Sequence, residues 1–168
     1  MIFATVGTSK FQFERFILLI DTLPSNLQYN DVVVQTGFTK LLSSRFKNIK
    51  FLNNHDYIEM IQSCNLIVSH CGIGIARDAV NYKKRLILVP RDPKKKEHTD
   101  YHQFDLAKKW NELRMADVIY PDSNPSILNE LLSKKNSESN VNSLPKSSDI
   151  ISNIKLYLEQ GKISNSKI

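Results

Sequence analysis

Short apolar runs alternate along the chain with segments in which apolar residues recur at helical spacing. Compact runs rich in β-branched residues predict buried strands at residues 2–6, 32–34, 66–69 and 86–89, and weaker runs predict strands at 49–52 and 116–120. The spacing i, i+3, i+4, i+7 predicts helices at residues 13–20, 57–61, 73–82 and 104–113, with a further helix starting at Ser123-Asn124-Pro125.

Strands that alternate with helices are typical of an α/β fold in which a parallel sheet is covered on both faces. We therefore predict a Rossmann-like sheet. Ligands of such sheets bind beyond the carboxyl ends of the strands. The loops predicted at those ends are residues 7–9, 35–37, 70–72 and 91–99.

The length of 168 residues suits one substantial domain, which we assign to residues 1–134. Residues 135–148 are polar and rich in serine and asparagine, which predicts a linker. Residues 149–168 contain apolar positions at helical spacing and predict an amphipathic C-terminal helix and tail. The sequence shows neither a signal peptide nor an apolar run of roughly 20 residues that could span a membrane.

Charge and cysteine content add little to this picture. Lysine and arginine number 23 against 17 acidic residues, a net charge of +6 that suits an anionic partner but equally describes a solvated surface. The same two interpretations apply to the run Lys94-Lys95-Lys96, for which a solvated loop is the more common explanation. Two cysteines, Cys64 and Cys71, are too few for a disulfide framework and favour a reduced, cytosolic setting.

The segment VSHCGIGIARDAV, residues 68–80, joins a predicted strand to a predicted helix. Glycines at positions 72 and 74 let a phosphate approach the amides at the positive end of a helix, although a tight turn alone also requires glycine. Asp78 lies one helical turn beyond Gly74. Its carboxylate could accept hydrogen bonds from ribose hydroxyls, or it could be a solvated charge.

Two further groups of residues are open to more than one interpretation. Gly7-Thr8-Ser9 offers amides and hydroxyls to a phosphate, or caps the helix that follows. His70, His98 and His102 invite a metal site, but neither a zinc-protease arrangement nor a zinc finger accompanies them, so we expect no metal. His102 and Gln103 more plausibly supply polar contacts or a cap at the start of a helix.

Two blocks of the chain resemble one protein family. IFATVGTSKFQFERFI, with its Val-Gly-Thr turn, resembles the opening of small glycosyltransferase subunits of the Alg13 and PssE type. Residues 68–107 resemble the nucleotide-sugar motif of these proteins and of the C-terminal half of MurG-like transferases, which runs Ser-His-x-Gly-x-Gly, an acidic residue, Leu-Ile-x-Val-Pro and His-Gln. Departures include Cys71, where many relatives have alanine, the Arg77-Asp78 pair, and the basic loop at 91–99.

The resemblance implies a half-molecule equivalent to the C-terminal, donor-binding half of a GT-B glycosyltransferase. It implies a diphosphate near the residues Gly7, Thr8, His70, Gly72 and Gly74. It also implies ribose at Asp78 and the sugar near His102 and Gln103. Transfer of this kind needs no metal or cofactor, because helix N-termini and hydroxyl groups offset the charge of the leaving UDP.

The resemblance further implies a partner. We expect a UDP-sugar donor, a lipid-linked saccharide acceptor and a membrane-associated, Alg14-like or PssD-like subunit that binds the acceptor and carries the general base. The chain itself would be cytoplasmic and held at the membrane face through that partner. Two alternatives stay open: a non-catalytic activator of a partner transferase, and a nucleic-acid-binding module. The nucleic-acid-binding module ranks well below, because the sequence lacks the pattern of an aromatic stacking platform interleaved with basic residues.

Overall fold

The computed structural model describes residues 1–133, and the predicted linker at 135–148 and helix at 149–168 lie outside the described residues. Six parallel strands form one sheet in the order β3-β2-β1-β4-β5-β6. The strands are β1 (Ile2–Thr5), β2 (Val32–Gln35), β3 (Lys47–Ile49), β4 (Leu66–His70), β5 (Arg85–Val89) and β6 (Asp117–Val118). The helices are α1 (Glu14–Asp21), α2 (Asn54–Ser63), α3 (Ile73–Asn81), α4 (His102–Glu112) and α5 (Ile127–Ser133).

The strand order confirms the predicted Rossmann-like α/β fold. Strand β1 is central, and its Thr5 lies opposite Gln35 of β2 on one side and Ser69 of β4 on the other. The chain moves outward from β1 to β3 and then returns to the other side of β1 with β4. Because the direction of winding reverses between β1 and β4, a crevice forms at the carboxyl ends of these two strands.

Two hydrophobic cores lie on opposite faces of the sheet. Alternate strand residues explain the division: Ala4 and Val68 face one core, and their neighbours Phe3 and Ile67 face the other. Helices α1 and α5 cover the first face, while α2, α3 and α4 cover the second. Burial on both faces is why β1, β4 and β5 are almost wholly apolar in sequence.

Several boundaries differ from the sequence predictions. Strand β3 occupies Lys47–Ile49 rather than 49–52, because its pairing with β2 places Lys47 opposite Val33 at an exposed edge of the sheet. An edge strand is only partly buried, so it carries no apolar run. Helix α2 begins earlier than predicted because the Asn53 side chain caps it, accepting a hydrogen bond from the Asp56 amide. None of the helices in residues 1–133 is long and apolar enough to cross a membrane.

Candidate functional site

A cleft of about 460 Å³ lies at the carboxyl edge of the sheet, in the crevice between β1 and β4. Its volume is within the usual range for small-molecule sites. Six of the residues predicted to bind the donor line it: Gly7, Thr8, His70, Gly72, Gly74 and Asp78. The remaining lining residues were not singled out from sequence: Thr5, Gln35, Leu52, Asn53, Asn54, Tyr57 and Ile75.

The imidazole of His70 explains two of the glycines. A Cβ atom built on Gly7 would lie 2.4 Å from Cε1 of His70, and one built on Gly72 would lie 2.5 Å from Nε2. Gly7 also has a φ of +75°, which disfavours any other residue. These glycines are therefore required by the packing of the ring inside the protein, in addition to any role toward a ligand.

Gly74 differs from the other two. It lies in the first turn of α3, and a Cβ atom built on it would have nothing within 4 Å. Since Gly74 also lines the cleft, the missing side chain leaves space that belongs to the cleft rather than to the protein core. Of these three glycines, Gly74 is therefore the one that leaves space for a ligand in the cleft.

The N-terminus of α3 presents backbone amides at the cleft. Gly72 is the residue before the helix, and no side chain of the described residues caps it. The first amide that bonds back along the helix is that of Ala76, which donates to the carbonyl oxygen of Gly72 (3.2 Å). The amides of the first turn, including those of Gly74 and Ile75 at the cleft, are thus able to donate to an anion.

His70 is neutral at physiological pH. Burial, followed by the nearby charge of Arg91, lowers the pKa of its imidazole to about 4. Its Nδ1 atom lies 3.2 Å from Oγ of Ser69. A neutral imidazole offers one donor and one acceptor, so His70 can contribute a directed hydrogen bond to a ligand but not a full positive charge.

Asp78 is held at the cleft by two neighbours. The hydroxyl of Tyr57 donates to Oδ2 of Asp78 (2.9 Å), and the guanidinium of Arg77 donates to Oδ1 (3.0 Å). Burial and the hydrogen bond to Asp78 raise the pKa of Tyr57, so it stays a donor. The carboxylate is 13% exposed and retains lone pairs that can accept further hydrogen bonds. Nothing in the sequence linked Tyr57 to Asp78, because they lie on different helices.

Gln103 does not line the cleft. It is buried, and its Oε1 accepts hydrogen bonds from the backbone amides of Cys71 (3.3 Å) and Arg91 (3.1 Å). Gln103 therefore ties the loop after β4 to the loop after β5. His102, the first residue of α4, also lies outside the lining, and its Nδ1 contacts the carboxylate of Asp100.

Arg91 fixes the loop after β1. It is fully buried, and its guanidinium lies over the ring of Phe13 at 4.4 Å. It donates to four carbonyl oxygens, those of Val6 (2.8 Å), Phe11 (3.1 Å), Gln12 (3.3 Å) and Glu97 (3.2 Å). The loop at 91–99, which is basic in sequence, therefore turns its arginine inward, whereas its lysines at 94–96 are exposed.

Two groups of metal-ligating side chains stand outside the cleft. They are His98, Asp100 and His102, and His55, Asp56 and Glu59, each with its candidate ligand atoms within 4.8 Å of one another. None of these six residues lines the cleft. Whatever occupies the cleft would therefore contact amides, hydroxyl groups, the His70 ring and Asp78 rather than either group.

The sequence and the fold are both similar to known proteins. The model of the glycosyltransferase family 28 C-terminal domain matches residues 1–158. The fold is similar to that of the glycotransferase of kitacinnamycin, with a TM-score of 0.53 at 15% identity over 95% of this chain. It is also similar to the glycosyltransferase SnogD from Streptomyces nogalater, with a TM-score of 0.50 at 14% identity over 94% of this chain.

The chain spans less than half the length of these two structures, 40% and 44% respectively. No curated protein sequence matches it.

Proposed function

The chain belongs to the glycosyltransferase family 28 C-terminal domain family, and from that premise we propose that it is the donor-binding half of a glycosyltransferase. The donor is a UDP-sugar, and the acceptor is a lipid-linked saccharide of surface-polysaccharide or lipid-linked oligosaccharide synthesis. The subfamily we propose is that of the Alg13 and PssE type, which the opening block and the Ser-His-x-Gly-x-Gly segment resemble.

The observation that carries the proposal is the cleft between β1 and β4. One part of it has the chemistry of a diphosphate site: the uncapped first turn of α3, the hydroxyl of Thr8 and the ring of His70. Another part has the Asp78 carboxylate, oriented by Tyr57, which suits the paired hydroxyls of a ribose. A nucleoside diphosphate contains both a diphosphate and a ribose, covalently joined.

The same cleft supports a metal-independent departure of UDP. Negative charge develops on the diphosphate as the bond to the sugar breaks, and preorganised amides at a helix N-terminus stabilise that charge. Lysine and arginine are absent from the lining within residues 1–133, so the donors near the diphosphate are uncharged: the backbone amides, the Thr8 hydroxyl and the neutral His70 ring. No metal or cofactor enters the proposed mechanism.

We place the general base outside these 168 residues. The acceptor hydroxyl must lose a proton as it attacks the sugar. Asp78 already receives hydrogen bonds from Tyr57 and Arg77, and the low pKa of His70 makes it a weak base. We therefore assign the base to an acceptor-binding, membrane-associated partner of the Alg14 or PssD type, which would also hold the chain at the cytoplasmic membrane face.

Reconstitution with the partner tests the proposal. The full chain is co-expressed with an acceptor-binding, membrane-associated subunit of the Alg14 or PssD type, and membranes are assayed with a panel of radiolabelled UDP-sugars. We expect transfer into lipid only when both chains are present. The Gly74→Val variant should abolish it, while Asn81→Val, at the exposed far end of the same helix, should retain it.

Two outcomes would contradict the proposal. Transfer to a soluble acceptor by the purified chain alone would refute the half-enzyme. Transfer by the partner alone, stimulated equally by this chain and by its Gly74→Val variant, would instead identify a non-catalytic activator.

A further inference from the structure

Three exposed phenylalanines lie on loops at the carboxyl edge of the sheet. They are Phe11, Phe38 and Phe51, which are 38%, 43% and 39% exposed. An exposed lysine lies within two residues of each: Lys10, Lys40 and Lys50. We refer to these six residues as the phenylalanine–lysine rim. The first of these phenylalanine–lysine pairs is far from the other two in sequence, so the rim exists only in the folded chain.

Hydrogen bonds join the loops of the rim into one surface. The Gln12 side chain donates to the carbonyl oxygen of Phe38 (3.0 Å) and accepts from the amide of Lys40 (2.9 Å). The amide of Gly37 donates to the carbonyl oxygen of Lys50 (2.9 Å). The rings of Phe38 and Phe51 meet edge to face, with centroids 5.1 Å apart. The phenylalanines are therefore held at the surface by the fold.

The two loop segments of the rim carry positive charge without acidic residues. Residues 7–13 contain Lys10, and residues 36–53 contain Lys40, Arg45, Lys47 and Lys50, while neither segment contains aspartate or glutamate. Arg45 is engaged internally, donating to backbone carbonyl oxygens of Asp21 and Pro24. The exposed lysines thus form a surface that is complementary to a layer of negative charge.

We propose that the rim binds directly to an anionic lipid surface. The phenylalanine rings would enter the boundary between headgroups and acyl chains, and the lysine ammonium groups would remain at the lipid phosphates. Exposed Leu42 lies in the same segment as Phe38 and adds apolar area. The inference goes beyond the proposed function, in which the partner alone holds the chain at the membrane.

The arrangement favours a membrane over two other occupants. Single-stranded nucleic acid needs open aromatic faces on which successive bases stack, whereas Phe38 and Phe51 are turned edge to face against each other. The core of a protein interface is depleted in lysine, whereas a lysine adjoins every phenylalanine here. The rim also shares an edge of the sheet with the cleft, so membrane contact would bring the cleft close to lipid-linked acceptors.

Vesicle co-sedimentation tests the inference with the full chain alone. We expect binding to vesicles that contain phosphatidylglycerol, little binding to pure phosphatidylcholine, and weaker binding as salt rises. The double variant Phe38→Ser/Phe51→Ser should weaken binding roughly tenfold or more. The single variant Lys50→Gln should weaken it about fivefold, the effect of one lysine near a charged membrane surface.

Matched variants at other exposed sites provide the controls. Tyr29→Ser/Leu113→Ser changes two exposed apolar residues (57% and 43%) in loops that lead into strands at the opposite edge of the sheet. Lys108→Gln removes an exposed lysine from α4. Both should bind vesicles like the unchanged chain, and circular dichroism should show that all variants are folded.

Several results would overturn the inference. These are no binding to anionic vesicles, equal losses in the rim and control variants, or rim-dependent binding to a single-stranded oligonucleotide but not to vesicles. The assay involves neither UDP nor sugar transfer, so its outcome is separate from that of the proposed function.

Discussion

The sequence predicts donor-binding residues at two strand-to-helix corners, and the fold gives these corners different roles. The corner between β4 and α3 opens into the cleft, with an uncapped helix N-terminus and a glycine that leaves space. The corner between β5 and α4 is closed by its own hydrogen bonds, with Gln103 bonded to two backbone amides and Arg91 to four carbonyl oxygens. We call them the open corner and the closed corner.

The difference teaches that a polar residue within a sequence motif need not line the cleft. Gln103 uses its acceptor to hold the amide of Cys71, the residue between His70 and Gly72. Arg91 holds Val6, the residue before Gly7. The closed corner is therefore a frame that positions both loops of the open corner. Substitutions in the closed corner should therefore mainly lower stability, whereas substitutions in the open corner should mainly weaken binding.

The largest expected effect is on stability in the closed corner. Arg91→Met would leave four carbonyl oxygens without their donor, and the hydrogen bonds to two of them, those of Val6 and Glu97, are buried. We expect the free energy of unfolding to fall by about 3–5 kcal/mol, because each hydrogen bond to a charged group contributes about 1.5–3 kcal/mol. Urea denaturation measures it. Lys95→Met, exposed in the same loop, should change it by no more than about 0.5 kcal/mol. If Arg91→Met lowered the free energy of unfolding as little as Lys95→Met, the closed corner would not act as a frame.

The next effect concerns binding in the open corner. Asp78→Ala should weaken UDP affinity by about 1.5–3 kcal/mol, the range for a hydrogen bond to a charged group. Tyr57→Phe should cost about 0.5–1.5 kcal/mol, because it removes only the hydroxyl that orients the carboxylate. Calorimetry measures both, with Asp105→Ala, which removes an exposed carboxylate from α4, as the control. Unchanged UDP affinity in Asp78→Ala would show that Asp78 does not bind the ribose and is only a solvated charge.

A third effect should appear in the pH dependence of stability. The pKa of His70 is about 4 in the folded chain, against an ordinary value of 6.5. Between these values the unfolded chain binds a proton that the folded chain does not, so the unfolding free energy should fall as pH drops from 6.5 to 4, by up to about 1.4 kcal/mol per pH unit. His70→Gln should lack this component. Identical pH slopes for the two proteins would show that His70 titrates normally.

The smallest expected effect is that of metal removal. Transfer by the reconstituted pair should be unchanged in EDTA, because the His98, Asp100 and His102 group belongs to the closed corner and not to the cleft. The comparison is of initial rates before and after chelation. A loss of transfer in EDTA that manganese restores would mean that a metal ion takes part in the chemistry.

The sequence predicted the sheet well where strands are buried on both faces. Apolar runs marked β1, β2, β4 and β5, because burial demands them, whereas exposed β3 left no such run and was displaced by about two residues. The strand order and the crevice between β1 and β4 agree with the predicted Rossmann-like class. The predicted linker at 135–148 stays a prediction.

The candidate site was predictable only in part. The residues that lie together at one strand-to-helix turn, such as His70 and Gly74, were found because they are close in sequence. Tyr57 was missed because its link to Asp78 spans two helices. The packing reason for Gly7 and Gly72 also required the position of the imidazole, which no sequence pattern contains.

The most direct test of the central claim is the affinity of the purified chain for UDP with a side chain added at Gly74. A Cβ at this position meets no protein atom within 4 Å, so Gly74→Val should fold normally and fill only the cleft. We predict that calorimetry detects UDP binding to the unchanged chain and to Asn81→Val, but none to Gly74→Val. Equal UDP affinity in all three proteins would contradict the account, because the diphosphate would then bind elsewhere.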